Sequence, residues 1–260
     1  MFGKFDLTGL GRARDGEFQP TRVGEIPVGH RANRVHLLHG ASYDSPDGTP
    51  VACLLLRYKD DSVRRFFISY GVHVRNWYVE RNETVHDLSD PRSRVVWTGS
   101  TRADGSGTPT RLFMSTFDNP RPEQEIRGLE FLSLFARANP IILAITLEDA
   151  PDAKSSPGPA DELNEPQFRR EAFLRVKDAD SGQPVPEAAV RLRVTEGTRH
   201  YGFGGYTSDA RGEIRIDYPP GKFEILTVDM TAPGYPPVNF TISAKEGVFG
   251  PDLPVRLKRE

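Results

Sequence analysis

The chain has little of what usually staples, charges or anchors a protein. Among 260 residues there is one cysteine, Cys53, so no internal disulfide can form. Its setting, Val51-Ala-Cys-Leu-Leu-Leu56, predicts a buried and inert thiol, because a reactive one needs polar, partly open surroundings that favour the thiolate. Net charge is nearly absent as well: 34 basic residues against 36 acidic ones leave −2, with no surplus of cations for a phosphate backbone, so nucleic acid is not an expected partner. No apolar run approaches the roughly 20 residues that cross a bilayer as a helix. The start, Met1-Phe-Gly-Lys-Phe-Asp6, has no signal-peptide apolar core. Helical periodicity is scarce too. In its place stand 22 Pro and 24 Gly punctuating short strand-like runs, which favours an all-β protein long enough for two domains.

The clearest punctuation lies in residues 168–260. Phe173-Leu-Arg-Val176 leads to a turn at Asp178-Ala-Asp-Ser-Gly182 and then to Pro184-Val-Pro-Glu-Ala-Ala-Val190. Val190, Leu192 and Val194 alternate with Arg191 and Arg193, the period of two expected of a strand that covers a core on one side. Asp209-Ala-Arg-Gly212 reads as a tight turn, followed by Ile214, Ile216 and Tyr218 alternating with Glu213, Arg215 and Asp217. Pro219-Pro-Gly221 closes a second hairpin, Ala232-Pro-Gly-Tyr-Pro-Pro237 is a break, and inward residues follow at Val238, Phe240 and Ile242, then at Leu253, Val255 and Leu257. Six or seven strands of this size fit an immunoglobulin-like sandwich. Four motifs in this order, around Gly182–Val190, Thr207–Ile214, Pro219–Phe223 and Ala232–Tyr235, resemble the carboxypeptidase regulatory-like family, of transthyretin-like topology. That resemblance implies a non-catalytic spacer, stability or adhesion module, and no peptidase, because the zinc-bearing domain is missing.

Residues 149–167, rich in Pro, Ser, Gly and acids, have almost nothing to bury and read as an exposed, semi-stiff linker. The expected domains are therefore 1–148 and 168–260. In the first, apolar runs at Val35–Leu38, Val51–Tyr58, Arg65–Tyr70, Val95–Trp97, Arg111–Phe117, Leu129–Leu132 and Ile141–Leu147 are separated by turns at Tyr43–Gly48, Lys59–Ser62 and Ala103–Gly107. Several runs are apolar on both faces, as in the middle of a thick sandwich. About eight strands at this spacing fit a jelly roll. The stretches Ile26–Gly40, Pro50–Tyr58, Tyr70-Gly-Val-His-Val-Arg-Asn-Trp-Tyr78, Val96-Trp-Thr-Gly99 and Thr116-Phe-Asp-Asn-Pro120 resemble galactose-binding-like jelly rolls of large bacterial exported proteins. Such relatives usually carry Asp-Val-Arg-Asp-Trp-Trp where this chain has His73–Tyr78, and they begin further upstream, so an irregular opening strand is expected from Phe2 to Leu10. The resemblance implies an extracytoplasmic location.

Catalytic templates are absent: no Gly-x-Ser-x-Gly elbow, no His-Glu-x-x-His, no Walker loop. His36 and His39, three apart on a strand, must point to opposite faces and cannot share a metal ion; His39, next to Gly40, is the one expected to be reachable. Tyr201-Gly-Phe-Gly-Gly205 lacks the lysine and helix of a phosphate loop and reads as a hairpin tip or irregular strand entry. The binding candidates are Arg75, Asn76, Trp77 and Tyr78, with His39 and Arg111 beside them: sugars are held by an aromatic platform plus guanidinium, amide or carboxylate forks to hydroxyl pairs. The competing reading packs Trp77 between sheets and pairs Arg75 with a carboxylate; Trp97 is expected in the core. Three functions stay open: a non-catalytic carbohydrate-binding accessory module, a structural or protein-interaction scaffold, and a hydrolase lacking a recognisable motif. No cofactor is expected. Calcium stays open, since sites built partly from backbone carbonyls leave no spacing to read.

Overall fold

The computed structural model describes residues 5–7, 9–11, 19–79, 88–102, 105, 107–149, 170–218, 224–244 and 252–259. Every extended element in it is a β-strand, and the strands form two β-sandwiches, each a separate compact unit. Unit 1 holds Met1–Gly11 and Arg22–Asn164; unit 2 holds Arg12–Thr21 and Glu165–Glu260. The expected linker, apart from Asp149, and the Pro219-Pro-Gly221 turn lie outside the described residues.

Unit 1 faces a five-stranded sheet against a four-stranded one. The first runs β1 (Phe5–Asp6), β9 (Asn139–Asp149), β3 (Ala32–Ser42), β7 (Pro109–Asp118), β6 (Ser93–Ser100); the second runs β2 (Arg22–His30), β8 (Ile126–Ser133), β4 (Pro50–Tyr58), β5 (Val63–Ser69). Val35, Leu37, Phe113, Phe117 and Ile142 of one sheet meet Leu54, Leu56, Ile68, Leu129 and Phe131 of the other in the core. Central strand β4 is buried from Val51 to Leu56, and Cys53 is fully buried on the face away from that core. The opening strand is short: Phe5 and Asp6 pair antiparallel with Ile142 and Ile141.

Two elements depart from expectation. Strand β2 has no alternating run, being interrupted by Gly24, Pro27 and Gly29; it lies at the sheet edge, where a proline costs no ladder bond on its solvent side, and its pairing with β8 shifts register twice. Trp97 is not in the core. Its strand, β6, is the other edge of the five-stranded sheet, and the side chain is 48% exposed. An apolar triplet on an edge strand looks like an inward one in sequence, because periodicity does not record how many neighbours a strand has.

Unit 2 pairs β13 (Glu213–Tyr218), β10 (Arg170–Asp178) and β16 (Asp252–Leu257) in one sheet, with β16 parallel to β10, and β12 (Arg199–Thr207), β11 (Ala189–Glu196), β14 (Ile225–Ala232) and β15 (Tyr235–Ser243) in the other. Alternation is kept: Val190, Leu192, Val194, Ile214, Ile216, Leu253, Val255 and Leu257 are buried. The turns form for local reasons. Asp178 Oδ1 accepts from the Ser181 backbone and hydroxyl, both at 2.7 Å, while Oδ2 accepts the Tyr235 hydroxyl at 2.7 Å. These bonds, Ser181's first, hold the buried Asp178 carboxyl well below the usual carboxylate range, against the upward pull of desolvation. Asp209 Oδ1 likewise accepts from the amides of Arg211 and Glu213, and Gly212 takes φ +70° where a Cβ would collide with the Val176 carbonyl. Tyr201–Gly205 lies inside β12 rather than at its tip. Arg191 faces an extra residue there, so Gly204 and Gly205 form a bulge with Gly205 at φ +78°.

Gln19–Thr21 precedes β2 yet packs in unit 2. Gln19 bridges Phe203 in parallel, and the Gly204 amide donates to the Gln19 carbonyl at 3.2 Å. No local sequence signal marks this segment as part of the second sandwich.

Candidate functional site

The candidate site sits where β3 and β7 diverge. Beyond the His39↔Phe113 pair the two strands no longer pair, and residues 76–79 fill the gap: the Trp77 amide donates to the Ala41 carbonyl at 2.7 Å, the Arg111 amide to the Trp77 carbonyl at 2.8 Å, and the Val79 amide to the Pro109 carbonyl at 2.9 Å. Backbone demand thus fixes this loop as firmly as a strand. The turn Tyr70–Val74 that leads into it is closed by the Gly71 amide on the Val74 carbonyl at 2.8 Å. Gly71 has φ +73°, and a Cβ there would strike the Asp47 carboxylate.

A cavity of about 300 Å³ opens here, with Asp44, Asp47, Tyr70, Arg75, Asn76 and Tyr78 around it. Arg75, 8% exposed, donates to both oxygens of Asp47 at 3.0 and 2.8 Å. The Tyr70 hydroxyl donates to Asp44 at 2.7 Å and accepts the Asn76 amide at 3.1 Å. Burial, then the Asp44 carboxylate, pushes the Tyr70 phenol far up, so it stays a neutral donor. Asn76 Oδ1 accepts the Tyr78 amide at 3.2 Å, leaving its Nδ2 without a partner among the described residues. The site therefore presents carboxylate acceptors and an amide donor beside Tyr78, which is 37% exposed. That mixture matches vicinal hydroxyls below and an apolar ring face beside.

The other sequence candidates are placed differently. Trp77 is half-buried with its ring 4.7 Å from that of Tyr78, its Cβ against Gly40, and its indole N–H has no partner among the described residues. It supports Tyr78 and does not line the cavity. Arg111, 3% exposed, donates Nε to the Asn76 carbonyl at 3.1 Å and lies 5.3 Å over Phe113, so it props the loop from inside. His39 is not reachable: it is 2% exposed and bonds Ser115 at 2.8 Å. The inward face of β3 buries it, while His36 on the opposite face meets Thr116 at 3.0 Å. Asp44, Asp47 and Tyr70 were not among the candidates. The first two belong to the Tyr43–Gly48 turn and the third follows β5, so only the tertiary fold joins them to Arg75.

His39, Ser115, Ser93, Asp90 and His73 have the residue types of a nucleophilic relay. Ser93 reaches Ser115 at 2.7 Å and Asp90 at 3.0 Å, and Ser115 donates to the His73 carbonyl at 3.1 Å. Ser115 has no exposed surface, so no substrate meets it as built. Burial, then neighbouring His73, pushes His39 down to about 3. At the cavity, glycoside hydrolysis would need one carboxyl kept protonated in an apolar setting; each carboxylate instead accepts from a neighbour. Among the described residues no three His, Cys, Asp or Glu converge as for a metal, and none forms a helix able to cross a membrane.

A larger concavity, about 850 Å³, lies on unit 2 near Arg191, Gly205, Asp229 and Asn239. It has no exposed ring, since Tyr206 is turned inward, and Asn239 and Asp229 bond each other at 2.5 Å. The smaller cavity is the better ligand site because polar and aromatic groups converge there.

No family model matches the chain. No curated protein matches it either. Among solved structures, "The Bacillus anthracis TIE protein" aligns over 100% of this chain and 40% of its own, at 10% identity and TM-score 0.23. The chain thus spans 40% of the length of that structure. A likeness this slight says nothing of function.

Proposed function

We propose that the chain is a non-catalytic accessory module that binds carbohydrate at the loop end of unit 1, with unit 2 as a spacer. The observation that carries this reading is the exposed Tyr78 ring standing beside the Asp47–Arg75 pair and the Asn76 amide nitrogen, which has no partner among the described residues. The ring supplies a face for sugar C–H groups. The carboxylate and amide supply acceptor and donor for paired hydroxyls, and the Arg75 fork holds Asp47 still before the ligand arrives, which lowers the ordering cost of binding.

In this reading unit 1 is a galactose-binding-like jelly roll and unit 2 a carboxypeptidase regulatory-like sandwich, working outside the cytoplasm of a bacterium on carbohydrate or cell-surface glycan. The test is a glycan array probed with wild type and Tyr78→Ala, with folding followed by circular dichroism. Binding by wild type that Tyr78→Ala loses while staying folded supports the site. Silence of wild type across the array rejects it.

A further inference from the structure

Strand β6 pairs Val95 with Phe113, a core residue, and its next paired residue is Trp97, opposite Leu112. Val96 between them has no opposite residue on β7, so the strand carries a bulge there. Without that extra residue Trp97 would stand opposite Arg111, which is buried over Phe113, and would turn into the sandwich. The bulge re-aims it onto the outer face of the five-stranded sheet, where it is exposed.

The same register fixes where the ring lands. The Trp97 indole folds back along its own strand over Gly99, in the space a side chain at 99 would take, since a Cβ there would collide with it. Gly99 stands opposite Thr110, and Thr110 on its other side stands opposite Tyr78. Directly opposed antiparallel residues share a face. The Tyr78 and Trp97 rings therefore stand on one side of the sheet, two strands apart, with Thr110 as the floor between them. Neighbouring strands lie about 4.8 Å apart, so the two ring positions are separated by about 10 Å, roughly the length of two linked pyranose rings. Leu112 continues the apolar surface toward the cavity: a Cβ on Gly40 would meet Leu112 Cδ2 at 3.8 Å and Trp77 Cβ at 3.4 Å.

We propose that Trp97 is a second aromatic platform for the same carbohydrate, so that unit 1 takes an extended chain of sugars, seated at the Asp47–Asn76 cavity, crossing Tyr78 and Thr110 and reaching Trp97. The inference rests on the carbohydrate reading of that cavity. Extended, equatorially linked chains fit the spacing because they present C–H faces along a line; a tightly coiled chain does not reach both rings. The cavity's carboxylates and amide set orientation at one end, and Trp97 adds affinity only when the chain is long enough to arrive there.

The test is calorimetric titration of the full chain with galactose, glucose, mannose and xylose and with their linear β-1,4-linked oligomers of increasing length. Wild type should bind oligomers that span both rings about three- to tenfold more tightly than the matching monosaccharide. Trp97→Ala, with an unchanged melt, should bind the monosaccharide as wild type does and keep saturable binding of the oligomers, without the gain from length. Trp97→Phe, which keeps a ring, should recover most of that gain. Equal affinity of wild type for monosaccharide and oligomers, or a Trp97→Ala chain that gains with length as wild type does, overturns the second platform and leaves the Tyr78 site standing. Failure of wild type to bind any of these sugars overturns both.

Discussion

The Thr21 hydroxyl donates to the carboxylate of Asp217 at 3.0 Å, although the two residues stand 196 positions apart. Neither has exposed surface. Tyr206 completes the cluster: its hydroxyl lies 2.9 Å from Thr21 Oγ1 and 3.1 Å from the Asp217 carbonyl, with one proton to give to either. A buried carboxylate stripped of a donor keeps its desolvation cost without the compensating bond. Thr21→Val is therefore expected to lower the stability of unit 2 by about 1–3 kcal/mol, read from chemical denaturation of the full chain. Thr21→Ser, which keeps the hydroxyl, should recover most of it. Equal losses in both variants would mean that the methyl group matters and the bond does not.

Glu130 poses the same problem with a cation on each side. It is 4% exposed and accepts Arg57 at 3.0 and 2.6 Å through one oxygen and Arg22 through the other. Both arginines keep some solvent, at 26% of the Arg57 side chain and 16% of Arg22, so the penalty for removing their partner falls below that of a fully buried pair. Glu130→Ala is expected to cost about 2–3 kcal/mol. Glu130→Leu, which refills the volume, should cost less. Thermal melts of the two variants check the order.

Acid should loosen unit 1 through His39. Burial, then His73, lowers His39 from an unfolded value of 6.5 to about 3, and burial lowers His73 as well. Both rings are held neutral in the fold, so the unfolded chain binds protons first as pH falls. For His39 the stability is complete above about 6.5 and is lost progressively between there and about 3, at up to about 1.4 kcal/mol per pH unit, and His73 adds in the same direction. His39→Gln, which can keep a bond to Ser115, should flatten that slope while lowering stability at neutral pH. An unchanged slope in the variant would assign the acid sensitivity elsewhere.

The sandwiches were largely legible in the sequence and the cavity only half so. Strands with one covered face announce themselves: the Val190–Val194 and Ile214–Tyr218 alternations are kept residue for residue, except that Asp217, paired with exposed Glu171 on the outer face, is buried beneath Thr21. Turns carried by Asp178 and Asp209 were legible because their chemistry is local. Strand β2 was not, since Gly24, Pro27 and Gly29 erase its period, and neither was the exposure of Trp97, which depends on β6 having one neighbour. Arg75, Asn76 and Tyr78 come from one short stretch of sequence, and all three line the cavity. Asp44, Asp47 and Tyr70 reach the same cavity only by tertiary folding, and His39 was misplaced because its neighbour Gly40 reads as an opening although the strand continues to Ser42.

The cavity's shape depends on a glycine. At φ +73° and with Asp47 in the space of a Cβ, Gly71 cannot take a side chain without moving the Asp47–Arg75 fork. Gly71→Ala is expected to weaken glycan binding at least tenfold and to destabilise unit 1 by about 1–2 kcal/mol. Gly48→Ala, also at positive φ but with open space around it, should cost stability without a comparable loss of binding. Paired titrations and melts of the two variants separate strain from site geometry.

The most direct test is calorimetric titration of wild type, Tyr78→Ala and Trp97→Ala with the best saccharide from the array. Two exposed aromatic surfaces compete for the role of platform, one beside the polar cavity and one on the β6 edge. Saturable binding is predicted for wild type and Trp97→Ala, with Tyr78→Ala at least tenfold weaker. Binding that survives Tyr78→Ala, or that vanishes with Trp97→Ala instead, would contradict the account.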